Sequence, residues 1–175
     1  MNFKRFYILI FAIFLLSFGL PKNIQKKVDK AIESTFNIET FTLNVIDIPI
    51  DIIKILPPTF NTKRLYQINE NDTLLGYAYI AKAASKADDF DYLVLFDKDL
   101  IILKSKVLIY REDYGGEIGS KRWLKQFIGK TENDALVYGD NIAAISGATI
   151  SVKAMTSAIN TLLSSIKILH KNNIL

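Results

Sequence analysis

The sequence predicts an α+β domain, in which helices pack on an antiparallel β-sheet, behind an N-terminal signal or anchor segment. Three observations lead to this fold class. Several β-rich runs are separated by short polar turns, the last part of the chain has apolar residues at helical spacing, and the chain begins with a basic pair followed by an apolar run. Half of the 175 residues are apolar, which is enough to form the core of one domain with a short tail or anchor.

The N-terminal segment has Lys4 and Arg5 in front of an almost entirely apolar run at residues 6–20. This order is typical of a secretory signal peptide or a short membrane anchor. The run is shorter than the roughly 20 residues that span a bilayer comfortably. Both interpretations place residues 21–175 outside the cytoplasm as the folded domain, because the positive residues stay inside. A buried core helix is the less favoured alternative.

The first folded segment, residues 21–36, has the pattern of an amphipathic helix. Ile24, Val28 and Ile32 recur on one side and lysines lie opposite, while Pro21 is compatible with a first helical turn. Residues 36–48 are β-rich. Three prolines then interrupt residues 48–62, for which the sequence predicts irregular structure or one short helix.

The middle of the chain contains four strand-like runs rich in β-branched, aromatic and aliphatic residues. Polar turns follow the first and third runs, at residues 69–72 and 97–99. Successive strands joined by short turns pair in the antiparallel direction. The predicted strands are residues 64–69, 73–83, 92–96 and 100–110.

A loop and a short helix are predicted after the strands. The loop, residues 112–117, contains the pair Gly115-Gly116, which marks a turn with positive φ or a place where a planar ring can lie against the backbone. The helix, residues 120–128, is closed by Gly129. Trp123 and Phe127 are one turn apart on its face. Core packing is expected for at least one of them, and stacking near a ring is open for the other.

The C-terminal helix is predicted from Val152 onward, and the segment Ser146-Gly147-Ala148-Thr149-Ile150-Ser151 lies directly before it. Two interpretations of this segment remain open. Its hydroxyls can cap the free N–H groups of the helix, or the helix N-terminus can bind an anion that the small residues allow to approach. The helix buries apolar residues at three- and four-residue steps, namely Met155, Ile159, Leu162, Leu163 and Ile166, with Ala158 on the same face.

The composition argues against several kinds of chemistry. The chain has no cysteine, so disulfides, iron–sulfur clusters and thiol redox chemistry are excluded. The single histidine, His170, is expected to be a solvated residue near a helix end and cannot build a histidine-rich metal site. The acidic group at residues 88–91 is interpreted as a solvated loop rather than a calcium site. The mild net charge of +4 does not favour nucleic acid binding. Any electron carrier here therefore needs an organic cofactor.

The C-terminal segment and two upstream stretches together resemble the FMN-binding domain family. The similarity rests on Ser146-Gly147-Ala148-Thr149-Ile150-Ser151, on Tyr114-Gly115-Gly116-Glu117-Ile118, and on Trp123-Leu124-Lys125-Gln126-Phe127-Ile128-Gly129-Lys130. It covers roughly residues 73–165. The family includes the C subunit of the sodium-pumping NADH:quinone reductase and the G subunit of the Rnf electron-transport complex.

The resemblance implies that the cofactor is FMN, carried by Thr149 through a phosphoester bond that a dedicated flavin transferase makes. It places Ser146, Gly147, Ala148 and Ser151 around the attachment point. The segment Tyr114-Gly115-Gly116-Glu117 is expected near the flavin. By their charge, Lys121, Arg122 and Lys130 are candidate phosphate partners, and plain surface charge is the open alternative for each. No catalytic residue and no metal ligand is predicted.

One position departs from the family pattern. The family usually has an acidic residue six positions before the threonine, where this chain has Ala143, and the nearest carboxylate is that of Asp140. The sequence predicts an extracytoplasmic flavoprotein electron carrier that exchanges electrons with membrane redox proteins. The alternatives are an accessory or sensory module that binds FMN non-covalently or not at all, and a structural module that keeps only the fold.

Overall fold

The computed structural model describes residues 20–175 of the chain. The signal or anchor segment predicted for residues 1–20 therefore lies outside the described residues, except for Leu20. Within residues 20–175, no helix has both the length and the apolar character needed to cross a membrane.

A five-stranded antiparallel sheet forms the centre of the domain, which confirms the predicted α+β class. Each strand pairs with the next one along the chain, so that the spatial order is the sequence order. Predicted and observed strand bounds agree to within a few residues. The strands are β1 (Thr42–Val45), β2 (Leu65–Glu70), β3 (Thr73–Ala83), β4 (Phe90–Asp97) and β5 (Ile102–Ile109).

One face of the sheet is covered by α1 (Lys22–Phe36), the helix predicted for residues 21–36. Its apolar side, Ile24, Val28 and Ile32, is buried against alternate side chains of the strands, including Leu93 of β4. Because strand side chains alternate between the two faces, the neighbouring residues of β4 point to the opposite side.

The opposite face is covered by α4 (Thr149–Lys171) together with the segment that precedes it. The predicted apolar side of this helix is confirmed. The five large apolar residues predicted for that side are all buried, and Ala158 packs beside them. The helix begins at Thr149, three residues before the apolar pattern, so the last part of the Ser-Gly-Ala-Thr segment belongs to its first turn.

Within residues 20–175, two short α-helices lie between the main elements, along with 3-10 helices at Thr62–Arg64 and Gly116–Gly119. The short helix predicted within residues 48–62 is α2 (Ile50–Ile53). The predicted helix at 120–128 is the short α3 (Lys121–Leu124) followed by a 3-10 turn at Lys125–Phe127. Its N-terminus is capped by the hydroxyl of Ser120, which accepts a hydrogen bond of 3.2 Å from the Trp123 N–H. This cap fixes the start of α3.

Candidate functional site

The N-terminus of α4 lies at the surface with free backbone donors. Ala148 is the N-cap residue and no side chain caps the helix. Among the described residues, the N–H groups of Thr149, Ile150 and Ser151 have no hydrogen-bond acceptor, and the first helical bond is from Val152 to Ala148. The capping interpretation of the motif hydroxyls is therefore wrong. Free N–H groups at the positive end of a 23-residue helix are the features that favour an anion.

The side chain of Thr149 is exposed at the first position of this helix. Its hydroxyl makes no hydrogen bond to any described residue. Ser146 and Gly147 are also exposed, and Gly147 has a φ of 77° with nothing near the position that a Cβ would occupy. The approach to the Thr149 oxygen is thus lined by small groups.

The loop containing Tyr114 and Gly115 packs directly against the motif. Gly115 has a φ of 77°, and a Cβ at this position would lie 2.6 Å from the Cβ of Ala148 and 3.0 Å from the oxygen of Gly147. Gly116 has no atom within 4 Å of its Cβ position. The structure therefore brings the glycine loop and the Ser-Gly-Ala-Thr motif together. Gly115 makes the close contact, and Gly116 leaves open space beside the backbone. Tyr114 is 81 % exposed beside them.

A groove of about 560 Å³ opens beside the motif. This volume is in the range of sites for small organic molecules. Its walls combine a carboxylate, basic groups, an indole and backbone. The lining residues are Glu117, Arg122, Trp123, Lys125, Gln126, Ala143, Ala144, Ile145 and Ser146.

Comparison with known families agrees with this geometry. The profile of the FMN-binding domain family matches residues 86–164. The match supports assigning these residues to the FMN-binding domain family. FMN is the cofactor that the match supports. A search of curated proteins found no match to the chain, so the likeness to the two named subunits stays a prediction.

The matched residues of the FMN-binding domain run from the β3–β4 connection into α4, and include β4, β5, the glycine loop and the Ser-Gly-Ala-Thr motif. The residues present fit FMN. A flat ring needs open space against backbone, which Gly116 leaves, and a phosphate needs free N–H donors, which the first turn of α4 has. α1 and β1 to β3 lie outside the matched residues.

Trp123 fixes one wall of the groove. Trp123 and Phe127 are both buried and meet edge to face, with ring centroids 5.2 Å apart, so core packing holds for both. The Trp123 Nε1–H donates to the Ala143 oxygen at 2.8 Å, and the Ala143 N–H donates to Gln126 Oε1 at 2.7 Å. The backbone of residue 143 is therefore held on both sides, while its side chain is exposed.

Ser151 has a different position from the other motif residues, because its side chain is buried. Its hydroxyl is hydrogen-bonded to the hydroxyl of Ser85 and, at 3.0 Å, to that of Tyr110. The hydroxyl thus ties α4 to β3–β4 and to the end of β5. The group that Ser151 presents to a phosphate is its backbone N–H. No pattern in the sequence identifies Ser85 or Tyr110 as partners of this hydroxyl.

Arg111 organises the acidic group that follows β3. Its guanidinium lies 2.5 Å from the buried carboxylate of Asp91 and 3.7 Å from Asp88, and it also donates to the Asp89 carbonyl. Asp91 belongs to β4 and is paired rather than solvated, whereas Asp88 and Asp89 are exposed. No group of three or more potential metal ligands occurs in the described part of the chain.

Glu112, next to Arg111, also binds the connection between β3 and β4. Its carboxylate accepts hydrogen bonds from the N–H groups of Ala87 at 2.7 Å and Asp88 at 3.3 Å. The bond from Ala87 keeps the pKa of Glu112 below its usual range. The carboxylate is therefore charged at neutral pH, and it positions the chain just before Tyr114.

The three candidate phosphate partners differ in whether they line the groove. Arg122 lines the groove, 3.8 Å from the carboxylate of Glu117. Lys130 is paired with Asp134 at 3.2 Å, and Lys121 does not line the groove. His170 lies near the other end of α4, where its Nδ1 is 3.0 Å from Glu132. Of the three candidate phosphate partners, Arg122 is the one whose side chain lines the groove.

Proposed function

We propose that this protein is an extracytoplasmic electron carrier whose FMN is attached to Thr149 through a phosphoester bond. The observation that carries the proposal is the Thr149 hydroxyl. It is exposed and unpaired among the described residues, and it lies in a turn whose N–H groups are free, next to the glycine loop. The test is flavin that stays on the Thr149 peptide after denaturation.

The free donors at the start of α4 support the attachment chemistry. In the proposed transfer, the Thr149 oxygen bonds to the FMN phosphorus of a flavin dinucleotide. The bond from that phosphorus to AMP breaks, AMP leaves with the electron pair, and the hydroxyl proton passes to a base of the flavin transferase. N–H groups aimed at the phosphate stabilise its negative charge throughout. Small residues before Thr149 let the transferase reach the oxygen.

The open groove supports electron exchange with other proteins. A bound FMN supplies the redox chemistry, and the chain supplies its orientation and electrostatic surroundings. Because the groove lies at the surface and Tyr114 beside it is 81 % exposed, membrane redox proteins acting as donor or acceptor can come close. A covalent tether also prevents loss of the cofactor by dilution outside the cytoplasm.

Ala143 is the specific observation that favours the second candidate, a domain that holds FMN without a covalent bond. The methyl group stands where the family usually has an acid, and it points from a backbone held by Trp123 and Gln126. FMN released on denaturation would select this candidate. The absence of any flavin from the native protein would select a flavin-free accessory module.

We expect Ala143→Asp to accelerate covalent FMN incorporation. The side chain of residue 143 is exposed and the backbone is already fixed, so a carboxylate can be added there without burying a charge. A carboxylate near the motif can assist metal or proton handling during transfer. The measurement is the rate of labelling with transferase and flavin dinucleotide in excess. Ala143→Asn, which has nearly the same shape but no charge, is the matched control.

Equal labelling rates for the wild type and Ala143→Asp would show that the missing acid has no role. Asp140→Asn addresses the nearest natural carboxylate. Three residues of extended chain span roughly 10 Å. Asp140 can replace the missing acid only if the turn brings its carboxylate close to position 143. In that case Asp140→Asn should slow covalent FMN incorporation further.

We expect the domain to lie outside the cytoplasmic membrane, because Lys4 and Arg5 precede the apolar residues 6–20. A reporter that is active only after export, fused behind Leu175, should be active in cells. The control is the same fusion with two glutamates in place of Lys4 and Arg5, which weakens the topogenic signal. Activity of a strictly cytoplasmic reporter at the same position would contradict this location.

A further inference from the structure

A second cavity, of about 520 Å³, lies away from the flavin groove. We name it the tyrosine cavity after Tyr79 and Tyr92, which line it together with Asn61, Arg64 and Lys82. Ala158 and Thr161 of α4 also contact it. Since a helix rises about 1.5 Å per residue, these two positions are roughly 13 and 18 Å along α4 from Thr149. The tyrosine cavity and the groove beside the motif have no lining residue in common, and only the tyrosine cavity is lined by residues of α4.

The hydroxyl of Tyr92 has no hydrogen-bond partner among the described residues, although the residue is 2 % exposed. No side-chain oxygen of the described residues is both unpaired and fully sealed from the surface. The Tyr92 hydroxyl therefore opens into the cavity that this residue lines. Burial raises the pKa of Tyr92 far above its usual range, so the phenol remains protonated and acts as a neutral donor.

Tyr79 provides a second donor in the same cavity. Its oxygen accepts a hydrogen bond of 3.0 Å from the Asn61 N–H, and its own proton has no acceptor among the described residues. The Tyr79 and Tyr92 rings are 6.2 Å apart, and Phe60 stacks on Tyr79 at 5.1 Å. A ligand therefore meets two phenol protons on an aromatic wall.

The charges around the tyrosine cavity favour an anion. Its lining contains Arg64, Lys82 and Arg111 but a single acid, Asp91, which is already paired with Arg111 at 2.5 Å. Arg64 and Lys82 have no acidic partner in residues 20–175. Unpaired cations near neutral donors match a carboxylate, whose oxygens accept several hydrogen bonds.

We propose that the tyrosine cavity binds a small carboxylate with a compact apolar body, at a site separate from the flavin. The two phenols hold the carboxylate oxygens, Arg64 supplies the countercharge, and the aromatic wall covers the apolar part. The volume fits a small organic molecule. This site does not depend on the proposed flavin attachment, so either proposal can fail without the other.

The test is a calorimetric titration of the full-length protein with benzoate, and with benzamide as the uncharged analogue. Benzoate should bind saturably, and benzamide at least about tenfold more weakly, because hydrogen bonds to a charged group are the stronger ones. Tyr92→Phe and Arg64→Gln should each weaken benzoate binding by about tenfold or more. Tyr77→Phe is the matched control, since Tyr77 is also a core tyrosine but does not line the cavity.

Thermal unfolding separates a binding effect from a folding defect. Tyr92→Phe loses no intramolecular hydrogen bond, so its melting temperature should equal or exceed that of the wild type. No saturable benzoate binding by the wild type would overturn the proposal. Benzamide binding as tight as that of benzoate, or unchanged benzoate binding in a folded Tyr92→Phe protein, would overturn it equally.

Discussion

Thr149→Ala should abolish covalently bound flavin, the largest effect expected for any single substitution in this domain. The hydroxyl is the nucleophile in the proposed attachment, and alanine has no oxygen to replace it. The protein should still fold, because Thr149 makes no capping hydrogen bond and alanine is a good helix former. The unfolding free energy should change by less than about 1 kcal/mol. The measurements are flavin fluorescence in a denaturing gel and the mass of the Thr149 peptide.

Two matched variants make this result specific. Thr149→Ser keeps a hydroxyl at the same position and should retain partial labelling. Ser146→Ala removes an exposed hydroxyl from the same segment and should reduce labelling without abolishing it. Fluorescence that persists in denatured Thr149→Ala protein would show that the flavin is attached elsewhere, and the assignment of Thr149 would have to be withdrawn.

Gly115→Ala should destabilise the protein and weaken FMN binding together. The residue has a φ of 77°, and an added Cβ would lie 2.6 Å from the Cβ of Ala148. Left-handed backbone costs a non-glycine residue roughly 1–2 kcal/mol, and overpacking adds roughly 1–3 kcal/mol. The loop should move away from the motif to relieve the overlap. Denaturant unfolding and the affinity of unlabelled protein for FMN measure the two effects.

Alanine substitutions at two nearby glycines separate the cost of backbone strain from the cost of overpacking. Gly147→Ala meets no atom but keeps the strain of a φ of 77°, so roughly 1–2 kcal/mol is expected. Gly116→Ala has neither positive φ nor a close contact, and its unfolding free energy should change little. If Gly115→Ala were no more destabilising than Gly116→Ala, the packing of the loop against the motif would be contradicted.

The regular elements were largely predictable because their signals are local. The repeat of apolar residues at three- and four-residue steps in α1 and α4 follows directly from helix geometry, and both helices occur where it predicts them. The polar turns between β2 and β3 and between β4 and β5 fix antiparallel pairing in the same way. The apolar repeat does not predict the start of α4 at Thr149, because the first turn of the helix lies before the repeat begins.

The sequence predicts which residues form the candidate site, but it does not predict which way their side chains point. The motif and the glycine loop were identified from residue type and order, and the family match at residues 86–164 agrees with them. Hydroxyl capping and anion binding at the start of α4 are both compatible with the sequence, and the structure shows that no hydroxyl caps this helix. The resemblance predicts that Ser151 lies at the attachment point with the other motif residues, but its hydroxyl faces the interior toward Ser85 and Tyr110.

The sequence by itself determined the α+β class, the helix faces and the resemblance to the FMN-binding domain family, and it is the source of the prediction for Thr149. The tertiary structure decided that the sheet lies between α1 and α4, that Gly115 contacts Ala148, and that Arg111 pairs with Asp91. The physical reason is the range of each signal. Periodicity and turn chemistry act over a few residues, whereas a contact between residues 33 positions apart depends on how several elements pack at once, and no local pattern specifies that packing.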